Sequence, residues 1–564
     1  MKSDEIPSIG QVELKVPGLG SVTGISLNNE VHQYLGVPYG EVPGRFRRSV
    51  ASGPWKNGQH DGTKLGPFCP QPPRDFYPVP TPSRPWLQVP VADELNCLNL
   101  NISIPRLPSQ NEPTTLLPVM VFLHGGAFTY STSASPVYDG RILASTSANL
   151  TKPAIVVTLN YRLGVYGFLA GHDLRGYNSE NGEEAVGNYG IWDQVLALRW
   201  VQKHISAFGG DPSRVTLFGQ SAGAASVHAH LLRGEPLFSS AILQSGLVWL
   251  CGVLSVDEYQ VVYEKMLLNL GIPLDLPPTE RMQRILAVDT ARLTAAMVPT
   301  FITPVVTAPL CDDGVLVGTP LQAGPSFGKF EVPEWCPRIM MGDAKNECII
   351  WNKSWDNLSP VPMVDGQDLA TPSAELTLAK MKTYLGADAA QKLADAYGIK
   401  ENSSPQDLFW ALERMTSHGL YSAPIYFAQN DAIDAPSSTV FTYHFNVPSP
   451  YDNAWGGLAH HSNDNVLLWG VLRHTLPPAQ QRIADKMAEA WITFANGDDP
   501  WEQSRAGNDK RMVFGAEAAT KTKQENADWG YEIWEKLHAD GLLSDLIRLS
   551  DELCLRKSEL VCHA

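Results

Sequence analysis

Residues 219–223 read GQSAG, between an apolar run at 215–218 (VTLF) and a small-residue, helix-like stretch at 222–232 (AGAASVHAHLL). In that context the pattern G-x-S-x-G predicts a sharp strand-to-helix turn, with Ser221 at its tip in strained backbone geometry. The glycines at both ends leave room for the backbone to approach closely. The helix that follows directs N–H groups and its positive dipole end toward the serine. These features predict that Ser221 is a catalytic nucleophile.

A second glycine-rich segment, HGGA at 124–127, directly follows the apolar run PVMVFL at 118–123. Glycines after such a strand let the chain turn so that backbone N–H groups face the nucleophile. We therefore expect an oxyanion hole made by the N–H groups of Gly125, Gly126 and Ala222. Losing one such donor typically costs about 3–4 kcal/mol of transition-state stabilisation. His124 is expected to hold the shape of this loop.

Apolar runs and helical patterns alternate along the rest of the chain. The segments that carry this pattern are strands at 154–159, 215–218, 241–244, 338–341 and 440–445, a helix at 193–208, and helical insertions at 255–300 and 365–435. Continuous β-branched runs are typical of strands buried on both faces. The order predicts an α/β fold with a large, mostly parallel central sheet, helices on both faces and a helical cap over a pocket.

The composition excludes several classes of function. The chain has 564 residues and a formal net charge of −16, which argues against nucleic acid and anionic membranes as partners. It contains no apolar run of 18 residues, so no transmembrane helix is predicted. No pair among its eight cysteines has the spacing of zinc ligands. We therefore expect an enzyme that needs neither a metal nor an organic cofactor.

The first ten residues, MKSDEIPSIG, lack the apolar stretch of a secretory signal. A cytoplasmic location is the expectation for the chain as written. A secreted protein stays open as the alternative, if a signal preceded this sequence and was removed. The sequence does not indicate the oligomeric state.

Several blocks, in order, resemble the type-B carboxylesterase/lipase family, which includes cholinesterases and secreted fungal lipases. They are YLGVPY with Arg45-Phe46, GNYG with Asp193-Gln194, FGGDP through GQSAG, and the residues Trp491, Phe494, Ala495, Gly497, Asp499 and Pro500. The resemblance spans roughly residues 20–505 and implies the α/β-hydrolase fold. We expect one domain over 1–564, in which 505–564 forms a C-terminal helical extension with a helix at 531–549.

The same resemblance implies the partners of Ser221, which in this fold follow it in the order acid, then histidine. The family has a histidine followed three residues later by a carboxylate, which fits His461 with Asp464 and favours His461 over the adjacent His460. It places a glutamate five residues after a glycine at a strand end, which is Glu347. Asp343 is the alternative acid, since most related folds use aspartate.

The cysteines and their surroundings show where the chain departs from the family. The family's first disulfide carries over to Cys69 and Cys97. Its acidic residues directly precede the second cysteine, whereas here Leu95-Asn96 stands there and the acidic pair is Asp93-Glu94, so the family's ion pair from Arg45 is not assured. Cys348 occupies a position that is usually glycine. Cys554 and Cys562, near the end of the chain, could pair with each other.

The predicted reaction is hydrolysis of a carboxylic ester through an acyl-enzyme on Ser221, with His461 as base and Glu347 as acid. A proline-rich loop at 66–91 and the helical insertions are expected to shape a pocket for a small, neutral, apolar ester. An acyltransferase, a cyclase or a thioesterase would use the same triad. A catalytically silent binding protein of this family is disfavoured because all three triad residues are present.

Overall fold

The computed structural model describes residues 7–73, 80, 82, 84, 86–107, 115–184, 186–302, 307–317, 329–359, 369–508 and 510–554. Its strands are β1 Ile9–Val16, β2 Gly20–Leu27, β3 Val31–Pro38, β4 Gly40–Glu41, β5 Val50–Ala51, β6 Gln59–Asp61, β7 Asn99–Pro105, β8 Leu117–Leu123, β9 Ile155–Leu159, β10 Gly210–Gln220, β11 Ser240–Gln244, β12 Val253–Ser255, β13 Leu310–Asp312, β14 Arg338–Ala344, β15 Thr439–Phe445, β16 Arg511–Phe514 and β17 Ala518–Lys521.

The helices lie between and after these strands. They are α1 Gly140–Asn149, α2 Gly164–Phe168, α3 His172–Glu180, α4 Tyr189–His204, α5 Ala222–Arg233, α6 Val256–Asn269, α7 Pro278–Leu286, α8 Thr290–Met297, α9 Ala374–Leu385, α10 Ala387–Tyr397, α11 Pro405–Ser417, α12 Ala423–Asp434, α13 Asn463–Leu468, α14 Pro478–Ala495, α15 Tyr531–Ala539 and α16 Leu543–Leu553. A 3-10 segment, Glu347–Leu358, follows β14, and a π-helical turn, His418–Ser422, follows α11.

Within the described residues, the main sheet has 13 strands in the order β1-β2-β3-β7-β9-β8-β10-β11-β14-β15-β16-β17, with β6 beside β2. From β9 to β16 every pairing is parallel, while the pairings among β1, β2, β3, β7 and β9 and between β16 and β17 are antiparallel. The carboxyl ends of parallel strands lie at one edge of a sheet, where α/β folds place their sites. The predicted α/β class is confirmed, with its parallel part at the centre.

The two faces of the sheet are both buried, as the apolar runs predict. Along β8, Val119 and Val121 belong to one core, whereas Met120 and Phe122 belong to another. Successive side chains of a strand point to opposite faces, so these are the cores on the two sides of the sheet. The continuous apolar sequence of β8 follows from burial on both sides.

The predicted helical insertions are helical in the structure. Residues 255–300 contain α6, α7 and α8, and residues 365–435 contain α9, α10, α11 and α12. The C-terminal segment differs from the expected helical extension, because it begins with β16 and β17, which continue the main sheet, before α15 and α16. The helix predicted at 531–549 is two helices, separated at Asp540–Leu542, where Gly541 has a φ of 71°.

Parts of the proline-rich loop, including 74–79, lie outside the described residues. In its described part the loop contains no strand: Phe68 forms an isolated β-bridge with Ala92, and the side chain of Gln71 hydrogen-bonds to the backbone of Ser131. In the described part of the chain, no helix combines the length and the apolar character that a membrane crossing requires.

Candidate active site

Ser221 stands at the tip of the turn between β10 and α5, as the sequence predicts. Its φ is 59° and its ψ is −125°, a strained conformation for a residue with a side chain. A Cβ added to Gly223 would lie 2.0 Å from the carbonyl oxygen of Leu123, and one added to Gly219 would lie 2.4 Å from the carbonyl carbon of Gly223. The glycines of the pattern are therefore sterically required to form the elbow.

The HGGA segment lies directly against this elbow. A Cβ on Gly125 would approach within 2.7 Å of the Gln220 carbonyl oxygen and 3.0 Å of the Ser221 Cβ, so only glycine allows this contact. Gly126 has a φ of 107°, where a side chain is also strained. Ala222 is the first residue of α5, and the first N–H groups of a helix have no partner within the helix. Gly125 and Ala222 thus lie beside Ser221, and the oxyanion hole itself stays a prediction.

His124 is held inside the protein and shapes the glycine loop. Its Nδ1 donates to the carbonyl oxygen of Gly125 at 2.8 Å, and its ring stacks on Tyr161 with 4.5 Å between ring centroids. The hydroxyl of Tyr161 donates to the backbone carbonyl of His124 at 2.7 Å. Burial lowers the pKa of His124 to about 4, which keeps the ring neutral.

Glu347 and His461 reach the elbow from the neighbouring strands β14 and β15. The Nδ1 of His461 makes a very short hydrogen bond to Glu347 Oε2, and both side chains are buried. The other carboxylate oxygen, Oε1, accepts from the backbone N–H of Ala344 at 2.7 Å. A carboxylate on Nδ1 places the proton there and leaves Nε2 as an acceptor.

The Nε2 of His461 faces the residue that precedes the serine. It lies 3.1 Å from Nε2 of Gln220, whose amide donates to it. The ring of Tyr421 lies 5.0 Å from the His461 ring, measured between centroids. The structure therefore brings Ser221, His461 and Glu347, which are far apart in sequence, to one edge of the sheet.

The two alternative residues lie elsewhere. His460 donates from Nδ1 to the carbonyl oxygen of His461 at 2.9 Å, and burial lowers its pKa to about 4. Asp343 accepts from Nδ1 of His444 and from the indole N–H of Trp529, the latter at 3.1 Å. Neither alternative side chain takes part in the hydrogen bond between His461 Nδ1 and Glu347 Oε2.

Comparison with known proteins agrees with this geometry. The sequence profile of the carboxylesterase family matches residues 10–529. The chain belongs to the carboxylesterase family. It is a carboxylic-ester hydrolase with the α/β-hydrolase fold, and the resemblance inferred from the sequence blocks is confirmed.

Two relatives match most of the length of this carboxylesterase, and a third matches a shorter part. Lipase 3 of Yarrowia lipolytica is 26% identical over 88% of this chain and 91% of its own, and para-nitrobenzyl esterase of Bacillus subtilis is 31% identical over 85% and 89%. Acetylcholinesterase of Danio rerio is 41% identical over a shorter part, 41% of this chain and 34% of its own. A solved PNB esterase structure superposes with a TM-score of 0.68 at 25% identity, covering 93% of this chain and 99% of that one.

Two buried acids of this carboxylesterase lie near the candidate site without belonging to the expected triad. Asp464 accepts from the side-chain amide of Gln244 at 2.8 Å, and Gln244 accepts from the indole N–H of Trp491 at 3.1 Å. Burial raises the pKa of Asp464 to about 6. Its place three residues after His461 is visible in the sequence, whereas the other buried acid, Glu413, has no motif around it. The only sequence signal for Glu413 is its spacing of four from the apolar Phe409 on α11.

The cysteines do not form the expected bridge in this carboxylesterase. The thiols of Cys69 and Cys97 are buried and hydrogen-bond to each other, but both are free, so the disulfide stays a prediction. The Cys554 thiol is a hydrogen-bond partner of Cys348, while Cys562 lies outside the described residues. The suggested pairing of Cys554 with Cys562 therefore stays a prediction.

The departure around Arg45 is compensated in three dimensions. Arg45 forms a bidentate ion pair with Glu94, with both N···O distances at 2.7 Å. It also donates to the carbonyl oxygen of Leu286, which precedes α8. Glu94 thus takes the role of the displaced acid and ties the cap to the N-terminal part of the fold.

Among the described residues, no group of three or more His, Cys, Asp or Glu side chains is arranged to hold a metal ion.

Proposed function

We propose that this carboxylesterase cleaves its substrate by a two-step acyl transfer on Ser221, with His461 as the base and Glu347 as the acid that orients it. The observation that carries the proposal is that one imidazole contacts both halves of the site: Nδ1 bonds to Glu347, and Nε2 accepts from the side chain of Gln220, the residue that precedes Ser221. A serine hydroxyl becomes a good nucleophile only when a base takes its proton, and the base needs a third group to fix its tautomer.

In the first step, Ser221 Oγ attacks the ester carbonyl carbon while His461 Nε2 accepts the hydroxyl proton. The N–H groups of Gly125, Gly126 and Ala222 donate to the oxyanion of the tetrahedral intermediate. His461 then gives the proton to the alcohol oxygen, and the alcohol leaves the acyl-enzyme. In the second step, water attacks with the same histidine as base, and the carboxylic acid is released.

The free enzyme holds His461 ready for this step. The side-chain amide of Gln220 donates to Nε2 of His461, which keeps the ring oriented and its acceptor nitrogen at the elbow. Catalytic hydrogen bonds are often loose in the free enzyme and tighten when substrate binds. The contact between Ser221 Oγ and Nε2 is therefore expected to form in the substrate complex, where the amide of Gln220 gives way.

A small, neutral, apolar ester suits the surroundings of the site. The net charge of −16 disfavours anionic substrates. The aromatic ring of Tyr421 contacts the ring of His461. The Tyr166 hydroxyl connects α2 to the cap: it donates to the carbonyl oxygen of Thr290 and shares a hydrogen bond with the hydroxyl of Thr294. Pockets walled by apolar and aromatic groups bind such ligands through burial of apolar surface.

The test is release of p-nitrophenol from short-chain p-nitrophenyl esters by the wild type and by Ser221→Ala. Loss of the nucleophile lowers kcat by roughly 10⁴- to 10⁶-fold. Ser226→Ala is the matched control, because Ser226 lies on α5 a few residues further on and, among the described residues, hydrogen-bonds to Gln194 and to the carbonyl oxygen of Ala222. A fluorophosphonate should label the wild type and the control but not Ser221→Ala. Full turnover by Ser221→Ala would refute the proposal.

A further inference from the structure

The residues on both sides of Glu347 are held by one buried carboxylate. We define the acid loop as residues 345–348. Glu413, on α11, is 3% exposed and accepts a hydrogen bond from the Asn346 side-chain amide at 3.4 Å and another from the Ser417 hydroxyl at 2.8 Å. Ser417 in turn accepts from the backbone N–H of Cys348 at 2.8 Å. Glu413 is thus linked to the residue before Glu347 and to the residue after it.

The opposite side of the acid loop is fixed to the segment that carries His461. The backbone N–H of Asn346 donates to the carbonyl oxygen of Ala459 at 3.0 Å, and Asn346 forms an isolated β-bridge with His460. The acid loop is therefore held between α11 on one side and the histidine segment on the other. A shift of α11 or of its contacts would move Glu347 relative to His461.

We propose that Glu413 is a positioning residue for Glu347: by holding Asn346 directly and Cys348 through Ser417, it sets where the Glu347 carboxylate meets His461. The proposal rests on the proposed function of Glu347. Groups that act through a catalytic residue matter because a misplacement of about 1 Å can lower the rate by roughly 10²-fold. Glu413 itself does not touch the substrate.

A cavity gives Glu413 a route for exchanging protons. A cavity of about 370 Å³ is lined by Glu413 and Asn346, and also by Trp410 and by exposed Asp528 at its outer side. Burial, together with the charge of Glu347, raises the pKa of Glu413 to about 7, against the hydrogen bonds from Ser417 and Asn346, which lower it. Glu413 therefore titrates near neutral pH, and its ionised form accepts both hydrogen bonds that hold the acid loop.

The charged and titratable groups around Glu413 come from four elements. They are Glu347, Lys345 and the Cys348 thiol of the acid loop, Arg414 and Asp407 of α11, His418 of the π-helical turn, and Asp528 of the segment before α15. Lys345 is paired with Asp528, and Arg414 donates to the carbonyl of Tyr397. Burial lowers the pKa of His418 to about 3, so this ring stays neutral while Glu413 titrates.

The experiment compares Glu413→Gln, Glu413→Asp and Ser417→Ala by kcat, KM and the pH profile of kcat/KM on a p-nitrophenyl ester. Glu413→Gln keeps the size of the side chain but turns a donor toward the Asn346 amide, so kcat should fall roughly tenfold with little change in KM. Glu413→Gln should also move the acid limb of the profile to lower pH, because it removes the carboxyl group whose protonation near pH 7 weakens the contacts of the acid loop.

The other two variants separate charge from contact. Ser417→Ala keeps the ionisable carboxyl group, so kcat should fall roughly three- to fivefold. Because the Ser417 hydrogen bond lowers the pKa of Glu413, its loss should not move the acid limb to lower pH. Glu413→Asp restores the charge and should return the acid limb to its wild-type position. Wild-type kcat and an unmoved acid limb in folded Glu413→Gln would overturn the inference, and so would a lower melting temperature with no change in either quantity.

Failure of this inference can be told apart from failure of the proposed function. Ser221→Ala is measured in the same assay. If Ser221→Ala is inactive while Glu413→Gln matches the wild type, only the role of Glu413 is wrong. If Ser221→Ala remains active, the triad assignment itself fails.

Discussion

Two buried carboxylate–histidine pairs lie in, or follow, the same two neighbouring strands of this enzyme. Asp343 is in β14 and Glu347 follows its end, while His444 is in β15 and His461 lies in the segment beyond it. In both pairs Nδ1 of the imidazole makes a very short hydrogen bond to the carboxylate. By burial, residue type and contact distance, the two pairs are nearly alike.

The pairs differ in what the second ring nitrogen meets. His461 presents Nε2 to Gln220 at the serine elbow, whereas His444 Nε2 contacts the hydroxyl of Tyr531 at 2.6 Å. Asp343 also accepts from Trp529, so this pair ties the C-terminal segment to the sheet. Burial lowers the pKa of His444 even though Asp343 acts in the opposite direction, which favours a neutral ring in a structural role. The comparison teaches that the carboxylate pair alone does not mark the proposed catalytic histidine, which differs from the other one by having Nε2 at the serine elbow.

The same substitution at both histidines tests this distinction most directly. His461→Gln should lower kcat on p-nitrophenyl esters by roughly 10³- to 10⁴-fold, because no group remains to take the proton of Ser221. His444→Gln should leave the kcat of the folded enzyme within about threefold of the wild type. Similar losses of kcat in the two variants would show that the pairs are not functionally distinct.

The free energy of unfolding should depend on the Asp343–His444 pair, although kcat should not. Asp343→Ala leaves the buried Nδ1 of His444 and the indole N–H of Trp529 without an acceptor, which should lower the free energy of unfolding by about 2–5 kcal/mol. Urea denaturation measures this change. Asp528→Ala is the control, because it removes only a largely exposed ion pair with Lys345 and should change stability by less than about 1 kcal/mol. Equal losses in both variants would argue against a structural role for the Asp343 pair.

The smallest expected effect is on the acid sensitivity of folding. The pKa of His444 is lower in the folded state than the ordinary value of 6.5, so below that pH the unfolded chain binds a proton that the native state does not. Stability should therefore fall as the pH drops below 6.5, and His444 contributes at most about 1.4 kcal/mol per pH unit to that slope. Unfolding curves at several pH values should show a shallower slope for His444→Gln than for the wild type. An unchanged slope would mean that His444 does not titrate on unfolding.

Much of the active site could be predicted from local sequence. The strand-turn-helix order around GQSAG and the glycines at 125 and 126 have steric causes that act within a few residues, and the structure contains the strand, the elbow and the close contacts. The blocks shared with the family led to Glu347 and His461, which the structure brings together. Their catalytic roles stay predictions until they are measured.

Other features were invisible because their partners are far apart in the chain. Glu413 lies 67 residues from Asn346, and Arg45 lies 49 residues from Glu94. The two strands β16 and β17 were missed within a segment predicted as helical, because short strands at a sheet edge have too few residues to show a clear period. Nothing in the local sequence specifies such pairings.

The sequence by itself determined the class of fold, the position of Ser221 at the elbow and the glycines that allow the elbow, since these depend on apolar periodicity and on backbone sterics. The family resemblance favoured Glu347 and His461, but only the tertiary structure showed that these two side chains meet and that Asp343 lies beside His444 instead. Those choices depend on the register of β14 against β15, where Ala344 pairs with Phe445. A shift of one residue would turn each side chain to the other face of the sheet, so the pairing of strands selects the chemistry.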